Sequence, residues 1–126
     1  MLEKIIHTEA IMPDQPPEDD EGNREYKWKI IPQDPEDRAY RCTKLATQLN
    51  FRLGEGAGKA VYLLGVHDGG HAVGVDEMSL YTTLSMITEA ALRIKDTTID
   101  KIRLYQGSCG KIATVRLSNP RLVEVF

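Results

Sequence analysis

The segment AVYLLGV, Ala60 to Val66, constrains this chain more than any other. When extended, it carries apolar side chains on both sides, so it is expected as the central strand of a sheet. The glycines just before it, in GEGAGK from Gly54, raise the question of a phosphate-binding loop. That loop needs four residues between its first glycine and the Gly-Lys pair, a Ser or Thr after the lysine, and a strand followed by a helix. Here Gly54 and Gly58 enclose three residues, Ala60 follows Lys59, and the order is helix then strand. Gly54, Gly56 and Gly58 therefore read as the end of a helix and a turn into the strand, not as a nucleotide site.

The elements around this strand follow from spacing and capping. Upstream, EYKWKII alternates Tyr26, Trp28 and Ile30 with Glu25, Lys27 and Lys29, the pattern of a strand with one buried face. Asp34 can cap a helix that begins with Pro35, where a missing N–H is harmless, and Glu36 and Asp37 suit the positive end of its dipole. Ala39, Cys42, Ala46, Leu49 and Leu53 form its apolar stripe. After the strand, HDGGHAVGV is expected as a hairpin turning at Asp68-Gly69-Gly70. Asp76 caps a second helix with Leu80, Leu84, Ile87, Ala91 and Ile94 on one stripe, ending around Lys95. A final hairpin pairs Ile102, Leu104 and Ile99 across GSCG with Ile112, Val115 and Leu117. The expectation is an α+β, two-layer fold in the order β-α-β-β-α-β-β, with two helices packed on a mixed or mainly antiparallel sheet of about five strands.

At 126 residues, with 41% hydrophobic and 28% charged residues, the chain fits one soluble domain. No apolar run is long enough to cross a bilayer, and MLEKIIHTEA lacks the clean apolar core of a signal peptide, so a cytoplasmic location with no membrane partner is expected. Residues 1–24 carry seven acids against Lys4 and Arg24, leaving 12 acids and 14 bases in the remainder. IMPDQPPEDDEGNRE has three prolines, a run of four acids and almost nothing apolar, and reads as a mobile leader with a short strand at Leu2 to His7. The expected division is leader 1–24, one α+β domain over 25–118, and a tail over 119–126.

Two sets of side chains could carry function. The first helix presents Arg38, Arg41, Lys44 and Arg52 opposite its apolar stripe; this is either a solvated face with ion-pair partners such as Asp37 or a contact for RNA or another partner. Asp20 or Glu21, Glu25 and Asp68 could converge where strand ends meet, and three carboxylates around a hard divalent ion can serve phosphodiester cleavage. Alternatively Glu25 pairs with a base, Asp68 caps its own turn and Asp20 is solvated. Tyr26, Trp28, Tyr62, Tyr81 and Tyr105 read as packing residues, although Lys27, Lys29 and Arg103 neighbour them. His67 and His71 span a hairpin, not a helix turn, and Cys42 and Cys109 lack ligand spacing, so no metal is assigned.

EGNREYKWKI, LATQLNFRLGEGAGKAVYLLGVHDGGHAVGV and SLYTTLSMITEAA together resemble the N-terminal region of the eukaryotic translational GTPases called GTP-binding protein one and two, relatives of elongation factor Tu and the ribosome-rescue factors. The resemblance runs over about residues 21 to 118 and is carried most specifically by EYK, RLGEGAGKAVYLLGV and the D-x-G-x-x-x-G pattern from Asp68 to Gly74. It implies a leading domain whose chain ends about where the first GTPase strand would begin. GTP and magnesium would then belong to an absent GTPase domain, and this chain would hold no cofactor of its own. The family's link to translation and RNA turnover implies a non-catalytic accessory role, contacting tRNA, the ribosome, a protein partner or its own GTPase domain, with Arg38, Arg41, Lys44 and Arg52 as the contact. A fainter likeness, in EYK and GVHDGG, is to the AlbA-like domain of Schlafen proteins. It implies as an alternative a metal-dependent endoribonuclease of tRNA or rRNA using Asp20, Glu25 and Asp68, with a divalent ion as cofactor. A third expectation is a structural domain that docks or self-associates.

Overall fold

The computed structural model of the chain describes residues 4–122. Its elements are β1 (Ile5–Ile11), β2 (Arg24–Lys27), α1 (Pro35–Glu55), β3 (Lys59–Leu64), α2 (Glu77–Leu92), β4 (Thr98–Gln106) and β5 (Lys111–Ser118), followed by a short 3-10 turn at Pro120–Leu122. The strands make one mixed sheet in the order β1-β4-β5-β3-β2. β1 runs parallel to β4 and β2 parallel to β3, while β3 and β4 each pair antiparallel with β5. The α+β class, the two helices and the mixed sheet are those expected from sequence.

Local chemistry explains both helices. Asp34 accepts a hydrogen bond from Asp37 N, Pro35 opens α1, and Asp76 accepts from Ser79 N to start α2. Cys42, Leu45, Leu49 and Leu53 of α1 and Leu80, Leu84, Ile87 and Ala91 of α2 pack on one face of the sheet against Tyr62, Leu64, Ile102, Val115 and Leu117. Ala39, expected in the α1 stripe, is exposed, and Leu45 takes part in its place.

Four expectations need correction. β3 is internal and buried on both faces, but β5 occupies the middle of the sheet. HDGGHAVGV does not form a second strand beside β3; Cys109 N and Gly110 N both bond to Val73 O, so the segment packs on the β4–β5 turn and keeps a single bridge, Val75 to Lys111. EYKWKII does not bury one face. β2 ends at Lys27, so Tyr26 packs into a smaller core on the far side of the sheet while Trp28 joins the helix side and stacks on His67 at 4.0 Å.

The fourth correction is the leader, which is built into the fold. β1 forms one edge of the sheet, so the observed order begins with two strands. The strand expected at Leu2 to His7 is met by β1 from Ile5 onward, while residues 1–3 lie outside the described residues, as do 123–126 of the expected tail. Beyond β1, Met12 N bonds to Gln106 O, Gln15 N to Gly70 O and Glu18 N to Asp68 O. The Tyr26 hydroxyl donates to Pro16 O, and Ala72 N donates to Asp14 Oδ1. The leader buries little apolar surface, as composition says, but Gln15 N and Glu18 N are satisfied by main-chain carbonyls of the 67–72 loop. The approach is close at Gly70, where φ is +96° and an added Cβ would lie 1.9 Å from Gln15 O.

Candidate nucleic-acid interface

The acids expected to converge are placed apart in environment. Glu25, at the start of β2, is only 4% exposed and faces α1, where Arg52 is 3% exposed. Arg52 Nε donates to Glu25 Oε1 at 3.1 Å, and the remaining guanidinium N–H groups donate to the backbone carbonyls of Asp19, Glu21 and Gly22. A buried charge is tolerable only with this kind of saturation. Asp20 and Asp68 are exposed. Among the described residues no group of three or more His, Cys, Asp or Glu side chains is arranged to hold a metal ion.

Glu18, which sequence reasoning passed over as a solvated leader acid, is the carboxylate that joins Glu25. Its Oε2 accepts from Tyr26 N at 2.5 Å. Burial raises its pKa, a hydrogen bond with the Glu25 carboxyl raises it further, and the Tyr26 N–H opposes both. The Tyr62 hydroxyl, on the strand residue paired with Glu25, is buried without a hydrogen-bond partner, and burial pushes its pKa upward. Glu18, Glu25 and Arg52 thus form a lock that fastens residues 18–22 to β2 and α1.

The α1 basic stripe is largely engaged within the fold. Arg38 donates to Glu89 Oε1 through Nε at 2.9 Å and Nη2 at 2.8 Å, and Nη2 also reaches Ser85. Arg41 pairs with Asp37 one turn away, at 3.0 Å. Lys44 lies over the Tyr40 ring, 5.0 Å from its centre. Arg52 is buried in the lock and is not part of an exposed stripe.

Several bases with no ion pair among the described residues lie on the other face of the sheet. Pairing sets them in a row: Lys101 of β4 is opposite Arg116 of β5, which is opposite Val61 of β3, which is opposite Arg24 of β2. Arg103 lies two residues along β4 from Lys101 and shares its face, because Ile102 and Leu104 point into the helix-side core. The ion pairs of the described residues involve Lys27, Arg38, Arg41, Arg52, His71 and Arg121, and none of Lys101, Arg103 or Arg116. Like charges opposite one another on adjacent strands repel, so Lys101 beside Arg116 is a cost that an anionic partner would reverse. Beside this row a groove of about 290 Å³ runs between the leader and the sheet, lined by Val61, Leu63, Tyr105, Thr114, Arg24 and Arg116 among others, with no carboxylate in its lining. The signal was present in KIRLYQ and TVRLS, where Lys101, Arg103, Tyr105 and Arg116 fall on one face at period two.

Comparison with known proteins gives one kind of relative. The chain is 40% identical over 79 residues to GTP-binding protein 2 of Mus musculus and, with the same identity and length, to that of Homo sapiens. The match covers 63% of this chain and spans 12% of the length of those relatives. No family model matches the chain, and no solved structure matches it. This chain is therefore homologous, over most of its length, to a segment of a GTP-binding protein. No helix among the described residues is long and apolar enough to cross a membrane.

Proposed function

We propose that this domain is a non-catalytic accessory unit of a GTPase-related protein and that it contacts RNA through the open face of its sheet. The relation to GTP-binding protein 2 supports the first half, and the charge row supports the second. The observation that carries the RNA contact is Lys101, Arg103 and Arg116 on one face without an acidic partner among the described residues. Phosphate contacts by such bases release counterions, which gives affinity and strong salt dependence. The helix stripe is the weaker candidate, since its arginines already hold carboxylates. The endoribonuclease alternative would require Glu25 to leave Arg52, a change that costs a buried ion pair.

The test is a titration of bulk tRNA with the purified chain. Replacing Arg103 and Arg116 by Ala should weaken binding and flatten its salt dependence, while replacing Arg41 and Lys44 should change it little. The reverse pattern would return the contact to α1, and cleavage lost in Glu25→Gln would move the domain to the nuclease class.

A second reading draws on α2, where Met78 and Leu92 are each 79% exposed and Tyr81 is 38% exposed. These side chains fit a domain that docks on the GTPase-bearing part of such a protein. Binding to that part, lost on Met78→Asp and accompanied by no RNA affinity at physiological salt, would favour docking.

A further inference from the structure

Charge alone would suit any polyanion, but the groove beside the charge row selects among them. Its floor is Val61, Leu63 and Thr114, and Tyr105 and the leader stand at its sides. Val61 pairs with Arg116 on one side and Arg24 on the other, so the two arginines flank the floor across three strands. At the usual strand spacing their Cα atoms are roughly 10 Å apart. Arg24 is steadied by Gln15 Oε1 at 3.0 Å, while Arg116 projects free of any partner among the described residues.

We propose that the ligand is single-stranded RNA, with one base seated in this groove against Tyr105 and the flanking phosphates on Arg116 and Arg24; this rests on the RNA-contact reading above. A duplex keeps its base faces stacked on each other and offers only phosphates and groove edges, so it could use the charge row and leave the groove empty. An unpaired base offers a flat apolar face, which fits the partly exposed Val61 and gains stacking energy from the Tyr105 ring in the same lining. Lys101 and Arg103 continue the positive path away from the groove on the side of β4, giving the strand a direction of travel across the sheet. The aromatic handle is single, so recognition extends to one stacked base and carries little sequence preference.

Fluorescence anisotropy on the full chain tests this with a short single-stranded RNA, its duplex, and an abasic strand of equal length, compared at each of several matched salt concentrations. The single strand should bind about tenfold tighter than the duplex or the abasic strand. Tyr105→Ala should remove about tenfold of single-strand affinity and leave the salt slope intact, and Tyr105→Phe should restore most of it. Circular dichroism melts of both variants keep misfolding separate from lost stacking. Equal affinity for the three ligands, or normal binding by a folded Tyr105→Ala variant, would overturn the seated base while leaving a general phosphate contact standing. No binding of any of the three would overturn the RNA reading itself.

Discussion

The Arg52 guanidinium meets the Glu25 carboxylate with 3.1 Å between Nε and Oε1, and both side chains are shut away from solvent. The same arginine holds three backbone carbonyls of the leader, so removing it strands a buried carboxylate and frees residues 19–22 at once. Arg52→Ala should cost about 3–5 kcal/mol in urea denaturation. The pair Glu25→Gln with Arg52→Met should cost less than the sum of the two single changes, which a double-variant cycle would read directly.

Glu18 gives the lock a pH dependence of definite sign. Its folded-state pKa lies above the ordinary value of 4.5, because burial and the neighbouring Glu25 carboxyl favour the protonated form. The stabilisation that comes with protonating it is therefore present below the unfolded pKa and is lost as pH rises through the folded one. Glu18→Gln keeps an acceptor for Tyr26 N, offers Glu25 a donor and removes the charge. The variant should unfold at higher urea than the parent at neutral pH, and the gap should close in acid. A variant that tracked the parent at every pH would show that Glu18 does not titrate in the lock.

Two glycines should answer the same substitution in opposite ways. Gly54 lies within α1 with nothing within 4 Å of an added Cβ, so Gly54→Ala should raise stability by about 0.5–1 kcal/mol. Gly70→Ala would push a methyl group into Gln15 O at a positive φ and should cost roughly 1–3 kcal/mol. Limited proteolysis adds a local readout: cleavage should rise in residues 12–22 of the Gly70 variant and stay at the parent level in the Gly54 variant.

Salt separates the two basic surfaces quantitatively. Each of Arg103 and Arg116 that neutralises a phosphate should contribute about one to the slope of log affinity against log salt. The double Ala variant should thus lose about two from that slope if both make such contacts. Replacing Arg38 by Ala should instead lower thermal stability slightly, through loss of its solvent-screened Glu89 pair, without changing the slope.

Features set within a few residues were legible before folding. Asp34 and Asp76 cap the helices as their spacing said, and the five strands and two helices form the expected class of sheet. What escaped depends on distant partners. Nothing local separates Arg52 from Arg41 on α1; its burial follows from Glu25, which only the parallel pairing of β2 with β3 brings under the helix. The leader escaped for a related reason. Composition measures the apolar surface a segment can bury, and residues 12–18 are held by main-chain hydrogen bonds to β4 and to a loop, fifty or more residues onward. The open-face bases were visible as a period-two pattern, but their isolation from acids follows from which face α1 and α2 cover.

The pairing of Ile5 with Ile102 sets a schedule for synthesis. β1 leaves the ribosome before its partner strand exists, and the intervening residues take roughly 5 to 20 seconds to make at ordinary elongation rates. Throughout that interval IIHTEAI is an unpaired β segment, and non-local pairings of this kind are slow to close. The acids that follow it, from Asp14 to Glu21, give the waiting stretch a charge that discourages neighbouring nascent chains from associating with it. A leader that looks too acidic to fold is thereby suited to being made well before its partner strand and to joining the sheet late.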